Sequence, residues 1–208
     1  TNTILTGANL SNANLDDVDL SGKDLTGTIL TGANLSNARL ISVDLSGKDL
    51  TDTILTGAHL SNANLANVDL SGKDLTGAIL TDVYLSGKDL TGTILTGDAL
   101  SGKDLTGTIL IRSNLSNANL ADVDLSGKDL TEVILTGVDL SGKDLTGAIL
   151  TGADLSGGAK LLDTNLNGAN LSNADLRNAL LVDTNLSNAI LTGADLSNAV
   201  LTGATLTG

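Results

Sequence analysis

The chain has 208 residues, enough for one or two ordinary domains, yet it holds no Phe, Trp, Met, Cys or Pro, and Tyr84 is its single aromatic residue. Globular cores draw on aromatic and Met side chains for area and gap filling; apolar mass made of Leu, Ala, Ile and Val suits a repeat instead. With 24 acidic residues against 11 basic ones, the net charge of −13 disfavours direct contact with nucleic acid or an anionic membrane, and the lack of Cys excludes disulfides, thiol chemistry and thiolate metal sites.

Leu occupies every fifth position from Leu5 to Leu155, and after one extra residue within 156–160 it resumes at Leu161 and continues to Leu206. Neither the helical period of 3.6 nor the strand period of 2 produces this spacing, and the density of Gly opposes any helix. Two residues before each Leu sits a small residue, as at Ala8, Ala13 and Val18. Directly before it comes Asn, Asp or Ile; after it come Ser or Thr, then Gly, Asn or Asp. If Leu and the small residue point inward, the interior is a column of Leu layers, each Leu worth roughly 1.5–3 kcal/mol on burial. The slot holding Gly7, Asn12, Gly22 and Asn37 marks corners that need positive φ. Ser42, Arg112 and Glu132 occupy the same slot, and a turn type without positive φ is expected at those three.

Units such as Ala8-Asn9-Leu10-Ser11-Asn12 and Ala153-Asp154-Leu155-Ser156-Gly157, repeated about forty times in register, resemble the pentapeptide-repeat family, whose consensus is A-(D/N)-L-X-X. The resemblance implies an all-β solenoid: a right-handed quadrilateral β-helix of about ten coils, four pentapeptides to a coil, in one domain over 1–208. At about 4.8 Å per coil the rod would be about 50 Å long. The quinolone-resistance branch of the family resembles B-DNA in shape and charge and binds type II topoisomerases, which makes DNA gyrase one candidate partner. That branch usually carries Phe in some central slots and a C-terminal dimerising helix; the all-Leu centres here depart from it.

Along the chain, seven units read Ser-Gly-Lys-Asp-Leu and place Lys23, Lys48, Lys73, Lys88, Lys103, Lys128 and Lys143 in the inward slot. A buried unpaired ammonium is costly, so each stem should line the wall while its amine escapes between coils or at a corner. Asp98 also takes an inward slot, and an ion pair with Lys88 or Lys103 is expected. The Lys units open modules of 15 or 25 residues against a coil of twenty, so each module starts a quarter turn from the last, a pattern of block duplication. Ile4, Ile29, Ile54, Ile79, Ile94, Ile109, Ile134, Ile149 and Ile190 fill outward slots as β-branched wall residues. Gly157-Gly158 at the register break reads as a corner bulge, and Leu180 and Val200 stack as a candidate lateral contact.

Sorting the residue before each Leu by position modulo twenty assigns it to a wall. One wall carries Asp24, Asp44, Asp104, Asp124 and Asp144, interrupted by Asn64 and Tyr84; its neighbour carries Asp49, Asp69, Asp89 and Asp129. These rows form either a solvated face or an acidic docking face for a basic protein. Catalysis has little to work with: His59 is the one His, Ser and Thr lack an adjacent general base, and a thin core leaves no ligand cavity. No cofactor, metal cluster or enzymatic activity is expected. The leading expectation is a non-catalytic structural or interaction module with acidic faces; a topoisomerase-directed DNA mimic is the alternative, and ice or mineral binding through Thr26, Thr31, Thr51 and Thr56 a further one. The terminal units show no polar cap, so either the rod stacks end to end with another copy or the chain is part of something longer; lateral pairing of copies is the other homo-oligomer the sequence allows. With no visible leader or bilayer-length apolar run, a cytoplasmic location is the default.

Overall fold

The computed structural model describes residues 4–97 and 100–208. It is an all-β solenoid, a right-handed quadrilateral β-helix whose coil repeats every twenty residues through parallel pairs such as Asn9↔Ile29, Asn34↔Ile54 and Ile94↔Asn114. Four walls follow, each named by the residues before its Leu. Wall A carries Asp24, Asp44, Asn64, Tyr84, Asp104, Asp124 and Asp144. Wall B carries Asp49, Asp69, Asp89 and Asp129, wall C Asn34, Ile54, Asp74 and Ile94, and wall D Arg39, His59, Ile79 and Asp139.

The repeat accounts for nearly every main-chain donor in a unit. In the unit centred on Leu10, the Leu N–H donates to Ile29 O of the next coil at 2.9 Å. The corner Asn12 N–H donates to Thr31 O at 3.0 Å, and Ala13 N–H closes a β-turn on Leu10 O at 3.0 Å. The N–H of Ser11 donates to Oδ1 of Asn9 at 3.0 Å. An Asn or Asp before Leu is therefore an Asx acceptor for the corner, while an Ile there leaves the corner N–H to water. Ser or Thr after Leu adds a second bond to that oxygen, as from Thr51 Oγ1 to Asp49 at 2.6 Å.

The central Leu of every unit from Leu20 to Leu186 is buried, in one continuous core. Turns with positive φ at the third residue are type II in character, and Ser42, Arg112 and Glu132 share them at φ 57°, 59° and 55°. This corrects the expectation for those corners. Their N–H groups stay in the inter-coil ladder, to Ser61 O, Thr131 O and Thr151 O at 2.9 Å each. Ladder and Leu packing together hold a conformation that costs an L-residue about 1–2 kcal/mol.

At the register break Gly157 and Gly158 both have positive φ, 67° and 80°. The pairing interval changes there from twenty, Ile134↔Asp154, to twenty-one, Asp139↔Lys160. A Cβ on Gly157 would lie 2.6 Å from Thr136 Cγ2, so the first glycine is required by contact as well as by φ.

Candidate functional site: the acidic walls and the inter-coil clefts

On walls A and B the carboxylates point outward and each spends one oxygen on its own corner. Asp69 Oδ1 accepts from Ser71 Oγ at 2.7 Å and Ser71 N at 2.9 Å; Asp124 does the same with Ser126 at 2.7 and 2.9 Å. The hydroxyl, then the N–H, of the Ser or Thr two residues on holds Asp24, Asp44, Asp49, Asp69, Asp104, Asp124 and Asp144 below the usual carboxylate range. For Asp144 the stacked Asp124 pulls the other way. Asp89 and Asp129 make the same corner bonds, from Thr91 N at 2.9 Å and Thr131 N at 3.0 Å. The rows thus form an anionic surface of exposed residues in which one oxygen of each carboxylate fixes a turn.

The inward-slot lysines are half-buried, and five of the seven donate to main-chain carbonyls of the coil beneath. Lys48 Nζ reaches Thr28 O at 3.2 Å, Lys128 Nζ reaches Leu105 O at 2.6 Å and Lys143 Nζ reaches Val123 O at 3.3 Å. Lys103 Nζ bonds Leu80 O and Val83 O at 2.6 and 3.3 Å, and Lys88 Nζ bonds Leu65 O and Val68 O. The stem does line the wall, but at these five the amine stays in the gap between coils and finds carbonyls there. Desolvation pushes the Lys88 and Lys103 amines below the usual lysine range, with the Asp82 carboxylate opposing this for Lys103. Asp98, the expected ion partner, lies outside the described residues.

These amines replace ladder bonds. Where the ladder is closed, the N–H before Leu donates to the coil below, as Ile94 N does to Lys73 O and Asn64 N to Val43 O. Above Thr28 O, Val68 O, Val83 O and Val123 O the corresponding donors would be Asp49, Asp89, Asp104 and Asp144, and among the described residues none of these four makes that bond. The interruption covers a whole corner. In each block of the form Val-Asp-Leu-Ser-Gly-Lys-Asp-Leu with a coil beneath it, namely 43–50, 68–75, 123–130 and 138–145, and in 83–90, where Tyr84 stands in place of the first Asp, neither wall nor corner has a backbone bond downward. The block at 100–105 behaves alike over its described part. Thr in the same inward slot leaves the ladder closed: Thr53 Oγ1 bonds Leu30 O at 3.2 Å while Ile54 N still bonds Ala33 O at 3.0 Å. The Lys stem is longer than that of Thr, and each Lys block with a coil beneath it lies over a corner without ladder bonds.

Clefts lie at these unbonded corners. Those beneath 68–75, 83–90, 100–105 and 123–130 have volumes of about 580, 380, 250 and 430 Å³. The 25- and 15-residue steps advance and then retreat a quarter turn, so all blocks but 68–75 flank wall A. On that wall four consecutive intervals, from Asn64 through Tyr84, Asp104 and Asp124 to Asp144, carry no ladder pair. The sequence reading found the odd lysines and missed their effect on the ladder; the recurring Val three residues before Ser-Gly-Lys was the available signal.

The remaining candidates are wall features. His59 Nε2 and Ser61 Oγ are 2.8 Å apart, Leu180 pairs with Val200 on wall D, and Thr26, Thr31, Thr51 and Thr56 sit in corner turns. Among the described residues no group of His, Cys, Asp and Glu is arranged to hold a metal ion, and no helix is long and apolar enough to cross a membrane.

A square coil closed by Asx-capped turns over a Leu column defines a repeat solenoid that displays side chains from four long walls. The chain belongs to the pentapeptide-repeat family: the profile for pentapeptide repeats matches it in eight copies, over residues 1–32, 24–57, 33–72, 58–97, 100–127, 129–159, 157–186 and 169–208. Among solved structures it is similar to HetL, a pentapeptide repeat protein involved in heterocyst differentiation regulation from Nostoc sp. strain PCC 7120. That match has 36% identity and a TM-score of 0.63, covering 97% of this chain and 88% of HetL. Rfr23 from Cyanothece 51142 matches at 39% identity over 55% of this chain and 88% of its own, with a TM-score of 0.44. Full-length QnrB1, a plasmid-mediated fluoroquinolone resistance protein, matches at 21% identity over 97% of this chain and 85% of its own, with a TM-score of 0.22. No curated protein sequence matches the chain.

Proposed function

We propose that the chain is a non-catalytic interaction module that presents walls A and B to a basic region of another protein. The observation that carries this reading is the pair of adjoining rows of exposed carboxylates, each fixed by its corner. Fixed, prepaid geometry lowers the ordering cost of binding, and stacked like charge steers a cationic partner at range. The similarity to HetL, whose described role is regulatory, supports a protein that works by contact and not by turnover.

The test exploits the Asx turn. Asn supplies the same Oδ1 acceptor, so Asp→Asn removes charge and keeps the corner. A variant with Asp44 and Asp124 of wall A and Asp49 and Asp129 of wall B all changed to Asn is compared with one changed at Asp19, Asp139, Asp154 and Asp195, both titrated with a twenty-residue oligolysine peptide by calorimetry. The first is expected to lose most of the salt-dependent affinity and the second little. Equal losses would show that walls A and B hold no privilege and would overturn the reading.

A further inference from the structure

Tyr84 stands out on wall A for reasons that acidity does not cover. Its ring is 88% exposed, so it contributes almost nothing to the core. Among the described residues its main chain joins no inter-coil hydrogen bond in either direction. Clefts of about 380 and 250 Å³ open on its two sides, one lined by Asn64, Leu65 and Lys88, the other by Asp82, Lys103 and Asp104.

The chain's own cations show what chemistry these clefts accept. In the first, Lys88 Nζ donates to Leu65 O and Val68 O; in the second, Lys103 Nζ donates to Leu80 O and Val83 O. Tyr84 O accepts no backbone bond, nor does Ala63 O, and both edge these clefts. Unpaired main-chain groups at a strand edge recruit a partner chain. Resident carboxylates repel phosphate, so a nucleic acid is disfavoured.

We propose that wall A between Asn64 and Asp144 docks an extended, arginine-rich protein segment, with Tyr84 at the centre of the contact. This rests on the acidic-wall reading and gives it a place and a partner chemistry. A guanidinium has five N–H donors and a flat face: one stacks on the Tyr84 ring while its neighbours enter the flanking clefts to meet the free carbonyls and the carboxylates of Asp82 and Asp104 that line them. An extended segment suits the site because its side chains can enter successive slots along the rod, which a folded convex surface does not reach.

Tyr84 is the sole aromatic residue, so tyrosine emission reports this site alone. The probe is a ten-residue peptide alternating Arg and Ser; a peptide alternating Glu and Ser is the control. The Arg peptide should change the emission in a saturable, salt-sensitive way, and the control should not. Tyr84→Asn, which supplies the Asx acceptor found at Asn64 on the same wall and adds no charge, should weaken binding of the Arg peptide about three- to fivefold by calorimetry with the melting temperature retained. Calorimetric binding without any emission change, or equal affinity for Tyr84→Asn, overturns the Tyr84 proposal and leaves the acidic walls standing. Absence of any binding overturns both.

Discussion

Lys103 illustrates how one side chain can cost and repair at once. Its amine satisfies Leu80 O and Val83 O, yet desolvation lowers its affinity for a proton. A lysine whose folded value lies below its unfolded one destabilises the fold while charged, and that cost is relieved as pH rises through the folded value toward the unfolded one, about 10.4. Thr fits the same slot elsewhere and bonds the same class of carbonyl, as Thr93 Oγ1 does to Leu70 O at 2.9 Å. Lys103→Thr is therefore expected to stabilise the protein by about 1 kcal/mol, the net value of a neutral hydrogen bond kept without a buried charge. Differential scanning calorimetry checks it, and the gain over wild type should shrink between pH 8 and pH 10. A lower melting temperature at both pH values would show that stem packing outweighs desolvation.

At the scale of the corner and the wall, the ladder divides the molecule. From Asp144 onward every described rung is paired on all four walls, as in Asp144↔Asn165, Ile149↔Asn170 and Lys160↔Leu180, whereas wall A before it is unpaired over four consecutive intervals. Amide hydrogen exchange should follow this division: Leu65, Leu85, Leu105 and Leu125 are expected to exchange at least tenfold faster than Leu145, Leu166 and Leu186, measured residue by residue. Uniform protection along wall A would contradict the interrupted ladder. The Leu column, the walls and most corners are legible in the sequence, because each depends on residues within one pentapeptide or on a fixed multiple of it. The Asx role of Asp24 or Asp49 is partly legible, as a turn residue two before an N–H donor. The opening above Val83 is not, since it arises from the length of Lys103 measured against a coil twenty residues earlier. The corners at Ser42, Arg112 and Glu132 escape for a related reason: local propensity argues against positive φ, and the ladder overrides it.

For the whole rod, acid is the informative variable. Carboxylates whose folded values are lowered contribute stability that is present above the unfolded value, near 3.9, and lost as pH falls through the folded values. The corner bonds to Asp49, Asp69 and Asp124 lower those groups, and stacking such as Asp124 over Asp144 opposes the effect. Because the hydrogen bonds are the larger cause, the melting temperature should stay level from pH 8 to about pH 5 and fall below about pH 4 at fixed ionic strength. A rise on acidification would mean that repulsion among the rows dominates.

The interrupted ladder also bears on how the rod can bend. Over the coils where wall A is open from Asn64 to Asp144, the opposite wall C is closed at each rung, through Asp74↔Ile94, Ile94↔Asn114, Asn114↔Ile134 and Ile134↔Asp154. Two sides so unequally bonded do not resist stretching alike. Any flexing of the middle of the solenoid should therefore put wall A on the outside of the arc. A rigid, straight partner would meet such an arc at a single tangent, while a pliant chain could follow its curvature from one coil to the next.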